Sequence, residues 1–435
     1  MTDYARYAER RKRLQTGMQH GIAVIPTAPE VARNADTHYD YRHGSHFYYL
    51  TGFTEPEAVV VLVAGDKMQS ILFCREKNAE REVWDGFRYG PDGAAEKFGF
   101  DAAYPIAQLD EKLAELMGNQ PALFYPLGTD PAWDARLLGV REAVKAKARS
   151  GIHAPGELRD VRALLDEMRL IKDPHEQDIM RRAAKISCGA HRRAMRFARP
   201  GQFEYEVEAE YLHEFCRHGA RQPAYTSIVA GGANACTLHY VGNNSRLNDG
   251  DLLLIDAGCE LEGYASDITR TFPVNGKFSP AQKDVYEIVL AAQAAAISVA
   301  QPGKPWNAPH EAALRVLAQG FVDLKLCTGT VESVLETESY KQFYMHRTGH
   351  WLGMDVHDVG EYKSGEQWRP LQPGMMLTVE PGCYIRPADG VPKELWNIGI
   401  RIEDDVLITA QGNEVLTLDA PKSVAEIEET MKNNN

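Results

Sequence analysis

Long apolar runs are missing from this chain of 435 residues; none approaches the ~20 residues that a membrane-spanning helix needs. The opening stretch, MTDYARYAERRKR, has no apolar core, so no secretory leader is expected. Cysteine is sparse and scattered. The seven cysteines are odd in number and never spaced C-x-x-C, which leaves neither a disulfide framework nor a thiolate zinc site and makes a reducing cytoplasm the expected location. Basic residues are in deficit as well: Lys plus Arg number 48 against 61 Asp plus Glu, a net charge of −13. Nucleic-acid binding needs a basic face, so that partner class is excluded. The zincin motif H-E-x-x-H is also absent. What remains is ordinary for a globular protein, 44% hydrophobic and 25% charged, long enough for two or three cores and carrying a surplus of carboxylates that could bind cations.

The first 165 or so residues read as mixed α/β. Ile22–Ile25, Ala58–Val63, Ser70–Cys74 and Ala122–Tyr125 are expected strands, and Ile106–Met117 and Pro131–Lys147 expected helices. The segment SGIHAPGELRD, Ser150–Asp160, reads as a linker or loop. Beyond it, Asp173-Pro174-His175-Glu176 combines a capping carboxylate, a first-turn proline and a glutamate at the third position, a strong helix start. Helical spacing then continues to Arg199-Pro200-Gly201, and a second helix is expected near Tyr205–His218. The order recurs about 100 residues later, with a helix from Ser279-Pro280 to Ala300 and another over Ala308–Leu317. Two such halves can pack face to face with a cleft between them.

The strands expected in this second region are Leu252–Asp256, Tyr264–Val274, Met376–Glu380 and Ile398–Glu403. Each holds an acidic residue, which strand propensity disfavours. Glu262-Gly263 suits a two-residue hairpin turn. With Leu261 paired to Tyr264, Asp267 falls opposite Gly258, and Asp256 and Asp267 become diagonal neighbours on one face, about 7–8 Å apart at the backbone. Two carboxylates that close repel unless a cation lies between them. Three of the chain's 14 histidines, His346, His350 and His357, crowd into one short stretch whose glycines, Gly349 and Gly353, argue against a helix. Asp355 and His357 alternate with Met354 and Val356, as in an extended edge. Glu380 closes an apolar strand, and Arg401 and Glu403 share the face opposite Ile398, Ile400 and Ile402. Oxygen and imidazole donors without thiolate suit Mn²⁺, Fe²⁺, Co²⁺ or Zn²⁺. Four carboxylates and a histidine exceed what one tetrahedral zinc takes and match two bridged ions, as hydrolases use.

The ordered motifs I-D-A-G (Ile255–Gly258), S-D-I-T-R-T-F (Ser266–Phe272), G-H-W-L-G-x-D-V-H-D (Gly349–Asp358), T-V-E-P-G (Thr378–Gly382) and I-R-I-E-D (Ile400–Asp404) resemble those of the pita-bread metallopeptidases. Within them the pattern is most similar to the bacterial aminopeptidase P group, and Arg33–Thr37 with Tyr41-Arg42 and Phe47–Phe53 resembles that group's N-terminal domain. Methionine aminopeptidases generally lack so large a preceding domain, and creatinase lacks the metal ligands. The resemblance implies an α/β (α+β) protein, with an N-terminal mixed α/β domain over residues 1–168. A pseudo-twofold pita-bread catalytic domain with a curved, mostly antiparallel sheet would follow over residues 169–435.

It also implies two divalent ions, Mn²⁺ first with Co²⁺, Zn²⁺ or Fe²⁺ as alternatives, held by Asp256, Asp267, His350, Glu380 and Glu403, with Asp267 and Glu403 bridging. Glu380 matches the family's general base or proton shuttle. His239 matches a histidine near the scissile bond, His357 one that stabilises the tetrahedral intermediate, and His346 one lining the proline side. Arg401 matches a residue that orients a ligand carboxylate. The implied activity is release of the N-terminal residue from peptides with proline second, by a cytoplasmic homo-oligomer, a tetramer in relatives. Trp84, in the Gly- and charge-rich stretch Val83–Gly86, reads as an exposed loop residue; it either packs on its own domain or reaches a neighbouring subunit's site. The competing readings are a prolidase confined to Xaa-Pro dipeptides and an inactive binding protein of the same fold. The form of the histidine loop favours the aminopeptidase, and the intact ligand set argues against the inactive protein.

Overall fold

The computed structural model describes residues 4–432, and the termini on either side lie outside it. The chain divides into two compact units, Met1–Met168 and Arg169–Asn435.

The first unit is built on a six-stranded mixed sheet. In spatial order its strands are Ala102–Pro105, Gln69–Cys74, Val59–Ala64, Gly21–Pro26, Ala122–Tyr125 and Glu157–Asp160. The central strands carry unbroken apolar runs because both of their faces are covered. Alternate residues Ile22, Val24, Val59, Val61, Ile71 and Phe73 pack against Leu109, Leu113, Leu137, Val140 and Val144 of the helices Leu109–Leu116 and Pro131–Lys145. The four expected strands and two expected helices are all present. The expected loop Ser150–Asp160 holds over residues 151–156, but its end, Glu157–Asp160, is the edge strand, parallel to Ala122–Tyr125. Its side chains are exposed or half-buried, so no apolar alternation marks it as a strand.

The second unit repeats one plan twice. Its first half pairs the helices Pro174–Phe197 and Glu204–Arg217 with an antiparallel ladder of Ile228–Gly231, Leu252–Asp256 and Thr269–Pro273. Its second pairs Pro280–Val299 and Ala308–Asp323 with Met376–Val379, Asp404–Thr409 and Gly412–Val415. Both long helices begin with capping boxes, at Asp173 with Glu176 and at Ser279 with Gln282, as their sequences require. The two halves are stitched by hydrogen bonds: the Glu403 N–H donates to Thr269 O, and Thr271 Oγ1 exchanges hydrogen bonds with the Arg401 main chain.

Three expected strands are shorter than their sequences suggest, Met376–Glu380 by its last residue. Tyr264–Val274 breaks into Tyr264–Ala265 and Thr269–Pro273, with Asp267 in the gap, and Ile398–Glu403 ends at Arg401. The histidine stretch is no extended edge either: residues 353–357 form a run of bends. Asp355 turns away from any ladder to pair with Arg169. Among the described residues no helix is long and apolar enough to cross a membrane.

Candidate metal centre

The hairpin sets the first two carboxylates. Glu262 (φ 51°) and Gly263 (φ 83°) both lie in the left-handed region, the conformation a two-residue turn needs and one that glycine supplies without cost. Leu261 pairs with Tyr264, and the same register continues into Asp256 opposite Thr269. Asp256 and Asp267 therefore converge as expected. Tyr225 Oη lies 2.6 Å from Asp256 Oδ1 and 2.5 Å from Asp267 Oδ1, bridging them. Arg401 binds the other oxygen of Asp256 at 2.7 Å and is itself held by Thr269 and Tyr384.

The second half supplies the rest. His350 N–H donates to Thr378 Oγ1, and Glu380 N–H to Thr348 O, which locks the histidine stretch along the strand that ends before Glu380. Gly349 permits this approach, since a Cβ there would lie 2.1 Å from Thr378 O. His350 Nδ1 sits 2.9 Å from the Trp351 carbonyl, so it carries hydrogen and Nε2 faces Asp267 Oδ2 at 3.4 Å and Glu380 Oε1 at 3.5 Å. Thr269 Oγ1 donates to Glu403 Oε2 at 2.5 Å. Donor atoms of Asp267, His350 and Glu403 lie within 4.8 Å of one another. All five expected ligands line one cavity of about 410 Å³, together with His239, His346, His357 and Arg401.

The electrostatics of this cluster call for a cation. Burial raises the Asp256, Glu380 and Glu403 carboxyls, Glu380 to about 7 and Glu403 well above its ordinary range, and neighbouring carboxylates add to it. Burial also opposes the His350 proton, but the hydrogen bond to Asp267 and the charge of Glu380 outweigh it and hold that imidazole up to about 9. The site thus gathers positive charge wherever it can. A ring nitrogen aimed between two carboxylates, with its other nitrogen tied to a carbonyl, is the arrangement of a metal-binding histidine. Divalent ions fit this donor set.

The remaining histidines take distinct places. His357 stacks edge-on against His350 with ring centroids 4.3 Å apart, and burial together with the His350 charge lowers its basicity. His346 is 2.9 Å from Tyr384 Oη and 3.7 Å from Glu380 Oε2. His239 is exposed at the cavity rim, just past the turn Gly232–Cys236. Trp84 lies elsewhere, on the short helix Ala79–Asp85, not in a loop; it is 80% exposed beside exposed Val83 and Phe87, so it does not pack on its own unit.

Several contributors have no sequence signal: Tyr225, Tyr384 and Asp405, whose buried carboxylate accepts the Asp267 N–H at 3.2 Å.

Comparison with known proteins agrees with this geometry. Residues 178–410 match metallopeptidase family M24, and residues 7–125 match the aminopeptidase P N-terminal domain. The Xaa-Pro aminopeptidase of Escherichia coli is 45% identical over 98% of this chain and 97% of its own length, and that of Haemophilus influenzae 44% over 98% and 96%. The structure of aminopeptidase PepP from Pseudomonas aeruginosa superposes with a TM-score of 0.97 at 52% identity, covering 99% of this chain and 98% of that one. A zinc-substituted E. coli aminopeptidase P in complex with product gives 0.97 at 44%, covering 100% and 99%. With a fold, a carboxylate-rich centre and near full-length relatives all in accord, the chain belongs to metallopeptidase family M24 and carries the aminopeptidase P N-terminal domain.

Proposed function

We propose that this protein is a dinuclear-metal aminopeptidase that releases the N-terminal residue from peptides with proline in the second position. The observation that carries the reading is the convergence of Asp256, Asp267, His350, Glu380 and Glu403 on one cavity floor in a chain 45% identical to a named Xaa-Pro aminopeptidase. When bound there, divalent ions supply Lewis acidity toward the peptide carbonyl and toward water. Asp267 and Glu403 would be the carboxylates shared between the two ions.

Glu380 stands where it can take the proton of the attacking water and pass it to the departing imino nitrogen. His357, held against His350, donates to the oxyanion. His239 meets the substrate near the scissile bond, and His346, held by Tyr384, lines the proline side. Arg401 fixes the orientation of Asp256.

Mn²⁺ is the proposed physiological metal, ahead of Co²⁺, Zn²⁺ and Fe²⁺, because the donors are hard oxygens with one imidazole and no thiolate. Residues 1–168 form the aminopeptidase P-type domain and residues 169–435 the catalytic one, in line with the two compact units. A cytoplasmic setting is supported by the cysteines, none of which is in a disulfide. A homo-oligomer, a tetramer in this reading, would find a place for the exposed Val83, Trp84 and Phe87 at an interface.

The test is digestion of Xaa-Pro-Yaa peptides by metal-loaded protein. Cleavage should occur at the Xaa–Pro bond, stop on chelation and on N-acetylation of the peptide, and return with Mn²⁺ or Co²⁺. Full activity in a verified metal-free preparation would sink the reading, and turnover of Xaa-Pro dipeptides alone would make the protein a prolidase.

A further inference from the structure

The cavity is electrically lopsided. Its floor carries four carboxylates, whereas at its mouth stands one guanidinium, Arg347, which is exposed and lines the same cavity beside His346. Among the described residues no carboxylate pairs with Arg347. Its Nη1 donates instead to Asn307 Oδ1 at 2.8 Å. The Asn307 amide is fixed in turn, because its Nδ2 donates to Glu311 Oε1 at 2.6 Å and leaves Oδ1 facing the guanidinium. Behind Arg347 lies the Trp368 ring, 5.3 Å from Cζ. The Lys363 ammonium sits 4.2 Å from the centre of that ring and likewise has no carboxylate partner among the described residues. Two cations without anions thus share one indole, and Arg347 is steered by an asparagine–glutamate relay. A guanidinium so held has lost rotamer freedom but keeps open donors, the condition under which arginine recognises a carboxylate.

We propose that Arg347 is a specificity determinant that binds a carboxylate of the peptide beyond the proline, in the first instance the C-terminal carboxylate of a short peptide. This rests on the aminopeptidase reading of the site and adds to it a preferred substrate class. A short peptide carries an ammonium at one end and a carboxylate at the other. The acidic floor attracts the first, and Arg347 is the unpaired cation of the cavity lining that can attract the second. A cavity of about 410 Å³ lies at the small end of ligand pockets and holds few residues, so the far end of a tripeptide falls near the mouth. Lys363, against the same indole, strengthens the same potential without lining the cavity.

The experiment compares a tripeptide Xaa-Pro-Yaa, its C-terminal amide, and the amide with aspartate as Yaa, on metal-loaded protein. The free acid should show a KM roughly tenfold below that of the plain amide, the worth of one charge-assisted hydrogen bond, with kcat unchanged. Arg347→Met should raise the KM of the acid to that of the amide and leave the amide as it was, and Arg347→Lys should restore part of the difference. If the aspartyl amide shares the advantage of the acid, a side-chain carboxylate also serves; if it alone has the advantage, the side chain is the ligand. Equal KM for all three peptides in the wild type, or a discrimination that survives Arg347→Met, would overturn the proposal. Calorimetric binding in the Glu380→Ala background reads the same preference without turnover. An acid preference there in a protein that hydrolyses none of the peptides would uphold Arg347 and sink the proposed activity alone.

Discussion

Asp358 offers the sharpest test of how the histidine loop is held. Its side chain is 1% exposed, and it accepts from Arg169 Nη2 at 2.6 Å and from Lys172 Nζ at 2.9 Å. Its own N–H closes the loop onto Trp351 O. The two cations are unequally placed. Arg169 retains Asp355, a partner 38% exposed, at 2.8 Å. Lys172, itself 1% exposed, has no other anion among the described residues and only the Leu170 carbonyl at 3.4 Å. Asp358→Asn therefore strands a buried ammonium, and breaking such a pair costs about 3–5 kcal/mol. Most of that loss belongs to Lys172, so adding Lys172→Met in the Asn background should recover part of it, an apolar tip being cheaper to bury than an unpaired charge. Urea unfolding at saturating metal, followed by tryptophan fluorescence, measures this; four of the six tryptophans (306, 351, 368 and 396) lie in the catalytic unit. Because His357 is the preceding residue, kcat should also fall about 10- to 100-fold with metal content intact, the usual penalty for misplacing a group by an ångström. A stability loss below about 1 kcal/mol with normal kcat, or a double variant less stable than Asp358→Asn, would refute the reasoning.

Three other expectations follow from the same structure. Glu380→Ala should lower kcat by roughly three orders of magnitude or more while the circular dichroism spectrum stays native, and near-normal turnover would remove Glu380 from its role. Burial, with the Arg270 charge behind it, holds the His191 imidazole down to about 3 against about 6.5 unfolded. Its contribution is thus complete above pH 6.5 and lost as pH falls toward 3, and between pH 6.5 and 5 the wild type should lose roughly 1.5–2 kcal/mol more stability than His191→Gln; equal losses would show that the ring charges freely in the fold. Trp84→Ala should leave monomer stability within about 0.5 kcal/mol, as for other exposed positions, yet weaken self-association and substrate binding, and unchanged sedimentation and KM would leave Trp84 without a partner.

Much of this site was legible in the sequence because strand pattern and turn chemistry are local. Asp256 and Asp267 could be brought together on paper from Glu262-Gly263 and strand alternation alone, and the structure keeps that register. Glu380 and Glu403 stood out as acids closing apolar strands. The limits are equally physical. Asp404 and Asp405 follow Glu403 directly, and nothing local tells what either of them does. Asp404 is spent on Arg270 and Lys422, and Asp405 on the Asp267 backbone; Arg270 and Asp267 lie 134 and 138 residues away in the chain. Tyr225 owes its place between the aspartates to tertiary closure, and Glu157–Asp160 pairs only because a neighbouring strand offers it an edge.

The division of the ligands between two halves has a mechanical consequence. Asp256 and Asp267 hang from the first ladder, and His350, Glu380 and Glu403 from the second. Any ion held by both groups is a clip that closes the long stretch of chain from Asp256 to Glu403, and a clip stabilises most when the loop it closes is long. Stripping the metal therefore does more than silence chemistry: it removes one fastening between the halves, leaving the seam to the Thr269–Glu403 and Thr271–Arg401 hydrogen bonds and to the Arg270–Asp404 and Asp267–Asp405 contacts. Amide exchange along that seam should be the first place where a metal-starved molecule betrays itself.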